Sequence, residues 1–344
     1  MKPEDTILAF DRLGSRLRMN LENIEDSCDI FVKYITEAEL YNPWFTRVNI
    51  IYCLTEICNW LEKEKLSDWI EPYTKRISGK NPKTIAVVTA GNIPLAGFHD
   101  MLSVLITGNN FLGRISSKDT SLFRMIKEIL VDIDPRFNDH ISFAEQIKDF
   151  DAVIATGSDN TSRYFDYYFG KYPSIIRHNR NSAAIIGGNE TNEDLALLAD
   201  DVFTYFGLGC RSVSKIFVPE GYDLKKIISG FESYRSIIQH NKYVNNYEYN
   251  KTLYLMNRDA FLDSGFFILK QDTRLSSPIA VVFFEFYKNI RKLLNHLKSE
   301  SGKLQCLVAG NMPVDNRIPF GHAQKPDLKD FADNVNTIEF LLNL

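Results

Sequence analysis

The sequence predicts an α/β protein of two doubly wound lobes preceded by a helical region. Three observations carry that reading. The chain has 344 residues, beyond the roughly 250 at which a single hydrophobic core stops growing, so two lobes are expected. From Thr84 onward short β-branched runs alternate with amphipathic stretches, the texture of parallel sheets covered by helices. That alternation starts a second time after Asn192.

Residues 1 to 75 read as helices, with Ile50, Ile51, Leu54, Ile57, Trp60 and Leu61 at helical spacing. The first lobe follows, with strands expected at Thr84 to Thr89, Asn110 to Ile115, Ala152 to Thr156 and Ala183 to Ile186. Its helices are expected at Leu95 to Ile106, Ser121 to Val131 and Asn160 to Phe169. The second lobe has a helix at Asn192 to Phe206 and strands at Ser214 to Val218, Ile279 to Phe284 and Leu304 to Val308. No repeat or low-complexity linker separates them. The division adopted is 1–182 for the helices and a cofactor-binding domain, 183–320 for a catalytic domain, and 321–344 for a C-terminal segment. The apolar end Thr337 to Leu344 is expected to dock on the fold or on a neighbouring subunit.

Composition excludes several classes. The residues are 44% hydrophobic and 24% charged, so the chain is globular and not disordered. A net charge of -4 with scattered Lys and Arg gives no field for a phosphate backbone, and nucleic acid is not an expected partner. Apolar runs such as Ile279 to Phe284 fall far short of a bilayer span, and the acidic N-terminus lacks the long apolar core of a targeting segment. A cytoplasmic protein is expected. The cysteines are 28, 53, 58, 210 and 306; this odd set gives neither a disulfide framework nor a zinc site.

Cys210 differs from the others. It stands in Phe206-Gly207-Leu208-Gly209-Cys210-Arg211-Ser212, with two glycines before it and a strand after it. Glycines let the backbone adopt special conformations and approach a ligand, so this thiol reads as presented, against the alternative of a structural cysteine in a turn.

Five segments occur in order: Ala90-Gly91-Asn92-Ile93-Pro94; Gly108-Asn109 through Arg114-Ile115-Ser116-Ser117; Thr156-Gly157-Ser158; Asn181-Ser182; and Gly209-Cys210. Together they resemble the aldehyde dehydrogenase superfamily. The stretches Arg114 to Asp119, Gly209 to Ser212 and Gly321-His322-Ala323-Gln324-Lys325-Pro326 are closer still to the acyl-CoA reductases typified by the bacterial luciferase system. The resemblance runs from about Thr84 to the C-terminus. It implies an aldehyde-dehydrogenase-like fold, reduction of an acyl-CoA to an aldehyde, a homodimer and, as a possible supplier of the acyl group, an acyl-activating ligase.

The resemblance also implies roles. Cys210 is the nucleophile that carries the acyl group as a thioester, because a thiolate exchanges readily with an acyl-CoA and leaves a carbonyl open to hydride. Asn92 is the oxyanion-hole amide; a plain turn residue is its alternative. Thr156, Gly157 and Ser158 end a strand and open a helix, where backbone N–H groups hold a pyrophosphate, although any strand-to-helix turn looks the same. Arg114, Ser116, Ser117 and Lys118 fall beside the adenosine ribose. Ser117 stands where NAD-preferring members carry glutamate, so NADPH is favoured over NADH; Arg114 and Lys118 read otherwise as a solvated basic face.

Two departures matter. Five residues before Ser182, where acid-forming members carry a glutamate that activates water, stands Arg177, and an arginine is no general base at neutral pH. Arg274 replaces the family's ribose-gripping glutamate. His178 and His322 are weaker acid–base candidates. The alternative of another class is a non-catalytic, dehydrogenase-like protein that binds a nucleotide or a partner enzyme.

Overall fold

A computed structural model describes residues 1–24, 29–79, 81–157 and 159–344. Two compact units divide them: 1–179 with 327–344, and 180–326.

The first unit opens with helices Pro3–Glu22, Asp29–Tyr41, Arg47–Trp60 and Lys63–Ile70. The Thr46 hydroxyl accepts from the Asn49 backbone N–H at 3.3 Å and starts the third of them. Strands β1 (Thr84–Val88), β2 (Asn110–Arg114), β3 (Ile141–Phe143), β4 (Ala152–Thr156) and β5 (Ser174–Arg177) form a parallel sheet in the order β3-β2-β1-β4-β5. Ile85 to Val88 and Ala152 to Ala155 are buried, which is why these central strands read as continuous apolar runs. The order reverses at β1 and β4, and ligands of such sheets bind outside the carboxyl ends of the strands at that switch point.

The second unit holds β6 (Asn181–Ile185), β7 (Val213–Pro219), β8 (Leu262–Asp263), β9 (Ile268–Gln271), β10 (Val281–Tyr287) and β11 (Leu304–Ala309), ordered β11-β6-β7-β10-β9-β8. Among the described strands of this sheet, β8 alone is antiparallel to its neighbour. Helix Asn192–Phe203 begins in a capping box: the Thr191 hydroxyl accepts from the Asp194 N–H at 3.1 Å and the Asp194 carboxylate accepts from the Thr191 N–H at 2.9 Å. Its Leu195, Leu198, Ala199 and Val202 pack on Ile216 and Val218 of β7 and on Ile227 and Phe231.

The α/β architecture agrees with the sequence reading, with two corrections. The strand expected at Ala183 to Ile186 as the last of the first lobe is β6, paired with β7 and β11 in the second sheet; an apolar run carries no label for its partners. The helix expected to reach Phe206 ends at Phe203, because Tyr205, Phe206 and Gly207 take left-handed φ values of 56°, 58° and 74°. Residues 327–344 pack within the first unit, where Ile338, Leu341 and Leu342 are buried and helix Thr337–Leu342 rests on helix Phe98–Ile106.

Candidate active site

In the first unit the cofactor candidates gather at the carboxyl ends of β1, β2 and β4. The Ser116 N–H donates to Thr89 Oγ1 at 3.0 Å, and the Asp119 N–H donates to the Ser116 carbonyl at 2.9 Å. Buried Asp119 accepts from the Leu95 N–H at 2.8 Å, and burial raises its pKa well above the ordinary carboxylate value. This carboxyl binds the Asn92 turn to the Ser116–Lys118 turn. Asn92, Arg114, Ser117 and Lys118 are exposed, Ser116, Thr156 and Gly157 half-buried. The Arg114 Nε donates to the Glu145 carbonyl at 3.1 Å. Ser158 and Cys28 lie outside the described residues.

Gly91 is what lets the two turns meet. A Cβ there would stand 2.2 Å from Ser116 Oγ and 2.8 Å from Ser116 Cβ. Gly91→Ala is therefore expected to force the turns apart at a cost of about 1–3 kcal/mol and to weaken nucleotide binding. Thermal unfolding and a nucleotide titration of the variant check both effects.

Cys210 belongs to the second unit, and Asn92 to the first. Cys210 is exposed, just before the amino end of β7. Each residue of the loop is anchored. Ser182 Oγ, on β6, donates to the Cys210 carbonyl at 3.0 Å. Having donated its single proton, that hydroxyl accepts from the half-buried Cys306 thiol at 2.9 Å. The Arg211 Nε donates to the Ala323 carbonyl, and the Gln324 amide donates to Ser212 Oγ at 3.1 Å. The stretch before Cys210 is held by ring packing, with Phe206 against His240 at 4.3 Å between centroids and Tyr243 at 6.1 Å. Left-handed backbone at Tyr205 and Phe206 costs on the order of 1–3 kcal/mol per residue and persists where surrounding structure enforces it, commonly at functional sites.

Cys53 and Cys58 behave as packing residues. Both are buried, and burial pushes the Cys58 thiol up to about 11.

Arg177 is buried in the first unit. Its two terminal nitrogens donate to both oxygens of Asp100 at 2.5 and 2.7 Å, and one reaches Thr337 Oγ1 at 3.3 Å. Arg274 forms a two-pronged pair with Asp272 at 2.9 and 2.6 Å, over the Phe283 ring. That guanidinium holds the Asp272 carboxyl well below the usual carboxylate range. His178 and His322 are exposed.

Sequence reasoning used Ser182 only as a landmark and passed over Cys306 and Asp201. A signal existed for Asp201: it is an acid among the apolar positions of helix Asn192–Phe203, and it is 1% exposed. Among the described residues no cluster of His, Cys, Asp or Glu could hold a metal ion, and no helix is long and apolar enough to cross a membrane.

This architecture is that of the aldehyde dehydrogenases. The chain is similar to aldehyde dehydrogenase 21 from Physcomitrella patens, solved with its reaction product succinate, at a TM-score of 0.68 and 10% identity over 100% of this chain and 84% of that one. It is similar to a mutant of aldehyde dehydrogenase C from Pseudomonas syringae, solved with NAD+ and octanal (TM-score 0.63, 10% identity, 92% and 78% of the two chains). A third relative is an aldehyde dehydrogenase of Mycobacterium tuberculosis complexed with NAD+ (TM-score 0.61, 11% identity, 86% and 70%). No curated protein matches the chain by sequence. Residues 19–229 match the family model of the acyl-CoA reductase LuxC. The chain belongs to that family, whose members are aldehyde-forming, acylating oxidoreductases.

Proposed function

We propose that this enzyme reduces a fatty acyl-CoA to its aldehyde with NADPH, through an acyl thioester on Cys210. The observation that carries the reading is the exposed thiol on a loop whose three residues, 210 to 212, are each anchored.

A cysteine with a purely structural role needs no such presentation, and this counts against the non-catalytic alternative. The Cys210 thiolate attacks the acyl-CoA carbonyl, the C–S bond to CoA breaks, and CoA leaves as its thiol after taking a proton. The Asn92 amide and the Cys210 N–H are assigned to the oxyanion. NADPH, when bound, supplies the hydride. The thiohemiacetal on Cys210 then collapses, releasing the aldehyde and restoring the thiolate. The choice of a fatty chain rests on the resemblance to acyl-CoA reductases that reduce such chains, whose family model residues 19–229 match.

The nicotinamide nucleotide fits the switch point of the first sheet. Thr156 ends β4 there, Gly157 lies just beyond it, and helix Asp159–Phe169 follows, so that helix's N-terminus is suited to a pyrophosphate. Exposed Arg114 and Lys118 flank Ser116 and Ser117 with no carboxylate among them, which favours a 2′-phosphate. Ser117→Glu is therefore expected to lower kcat/KM for NADPH relative to NADH by about tenfold or more, equivalent to about 1.4 kcal/mol of repulsion. An unchanged ratio would show that the ribose lies elsewhere.

The test of the whole reading is NADPH oxidation across a panel of acyl-CoA chain lengths, with the aldehyde identified as product. Dimer formation and supply of the acyl group by a ligase remain part of the proposal, tested by solution mass and by co-purification with an acyl-activating enzyme.

A further inference from the structure

Asp201 lies near the end of helix Asn192–Phe203, and its carboxylate is 1% exposed. One of its oxygens accepts from the Gly321 N–H at 2.7 Å, and the other accepts from the Ala323 N–H at 2.8 Å. The segment so held is the Gly-His-Ala-Gln motif. It needs glycine at its first position, where φ is +79° and a Cβ would meet Leu197 Cδ2 at 2.9 Å. Two further links of the motif run to the Cys210 loop: the Ala323 carbonyl accepts from Arg211 Nε, and Gln324 donates to Ser212 Oγ. Two of the side-chain hydrogen bonds that hold residues 210 to 212 thus depend on a segment that Asp201 fixes. A buried carboxylate is costly to ionise and needs an explanation beyond packing.

We propose that Asp201 is a positioning residue for Cys210, holding residues 321 to 324 and through them Arg211 and Ser212 in the arrangement that acylation requires. This rests on the assignment of Cys210 as nucleophile.

The carboxylate must be ionised to accept both N–H groups with full strength, and burial raises its pKa to about 6. The groups facing it are Asp200 on the same helix, His322 on the held segment, and Tyr234, whose hydroxyl donates to Asp200 at 2.8 Å. Residues 227 and 231 and strand β7 present the apolar side chains Ile227, Phe231, Ile216 and Val218 to that helix. Below about pH 6 one oxygen becomes a donor, and the clasp on Gly321 and Ala323 weakens.

The test has two readouts, kcat for acyl-CoA reduction and the rate at which iodoacetamide alkylates Cys210, both followed between about pH 5 and 9. The wild type should show a step near pH 6 in each. Asp201→Asn, with one acceptor oxygen in place of two, should lose the step and drop kcat about tenfold at pH 8, with KM for NADPH unchanged. Asp200→Asn should keep the step. Because the folded-state pKa is raised, the group's contribution to stability is full at acid pH and is lost as pH rises through about 6. The wild type already bears that cost at pH 8, so the melting temperature of Asp201→Asn there should change little. Gln324→Leu, which cuts only the link to Ser212, should lower kcat and keep the step. Wild-type kcat in Gln324→Leu, or a step that persists in Asp201→Asn, overturns the proposal. If the wild type reduces no acyl-CoA, the functional reading fails, and the alkylation step alone still decides the role of Asp201.

Discussion

Cys210→Ala is expected to lower acyl-CoA reduction by on the order of 10³-fold or more, the usual scale for removing a covalent nucleophile. Affinity for NADPH should hardly change, since the turns proposed to hold it belong to the other unit. The variant should also fold as the wild type does. The side chain is exposed, and the bond that anchors the residue, from Ser182 Oγ, ends on its backbone carbonyl; exposed substitutions of this kind usually stay within about 0.5 kcal/mol. Steady-state kinetics, nucleotide titration and thermal unfolding on one preparation separate these effects. Cys58→Ala should behave in the opposite way, costing stability through a buried cavity while sparing the rate. Iodoacetamide should label Cys210 ahead of Cys58, whose thiol is pushed up to about 11 and is therefore un-ionised near neutral pH. Appreciable aldehyde formation by Cys210→Ala would exclude a thioester intermediate on this residue.

Much of this was legible in the chain because the information is local. Ala152 to Thr156 reads as a strand, and it is one, since a buried parallel strand needs only a short apolar run. The thiol at Cys210 stood out because glycines on its amino side mark a special backbone. What could not be read was pairing. Whether Ala183 to Ile186 joins the first sheet or the second depends on which strands offer hydrogen bonds, and β7 and β11 lie about 30 and 120 residues further along the chain. The short strands β3 and β5, the latter ending at Arg177, carry too few apolar residues to stand out from loops. The support of Cys210 was hidden for the same reason. Ser182 and Gln324 meet the 210–212 loop, with Cys306 behind the first and Asp201 behind the segment that carries the second, and only the folded second unit brings these scattered residues together.

Arg177→Glu is expected to unfold the first unit's clasp and not to create a hydrolase. By sequence Arg177 occupies the place of a water-activating carboxylate, so restoring glutamate invites the expectation of acid formation. The structure argues otherwise. Arg177 and Asp100 are 6% and 4% exposed at their side chains, joined by two hydrogen bonds, with a third to Thr337 at the start of the C-terminal helix. Removing one partner of a buried pair costs about 3–5 kcal/mol because the other charge is left uncompensated. A glutamate adds repulsion between two carboxylates. A fall in melting temperature of roughly 5–15 °C follows from the usual scaling for chains of this size. Replacing both members, as Arg177→Met with Asp100→Leu, should recover most of the loss, because no buried charge then remains. The chemical readout is independent of the thermal one. With aldehyde and NADP+ the wild-type acyl-enzyme should pass its acyl group to added CoA and react slowly with water, which lacks a base contribution of typically about 10²- to 10⁴-fold. Arg177→Glu, assayed below its melting point, should keep that partition. The ratio of fatty acid to acyl-CoA, with and without CoA, measures it, and mass spectrometry of the protein should find the acyl group on Cys210 when CoA is withheld. Rapid acid formation by a folded Arg177→Glu enzyme would mean that this side chain reaches the thioester after all.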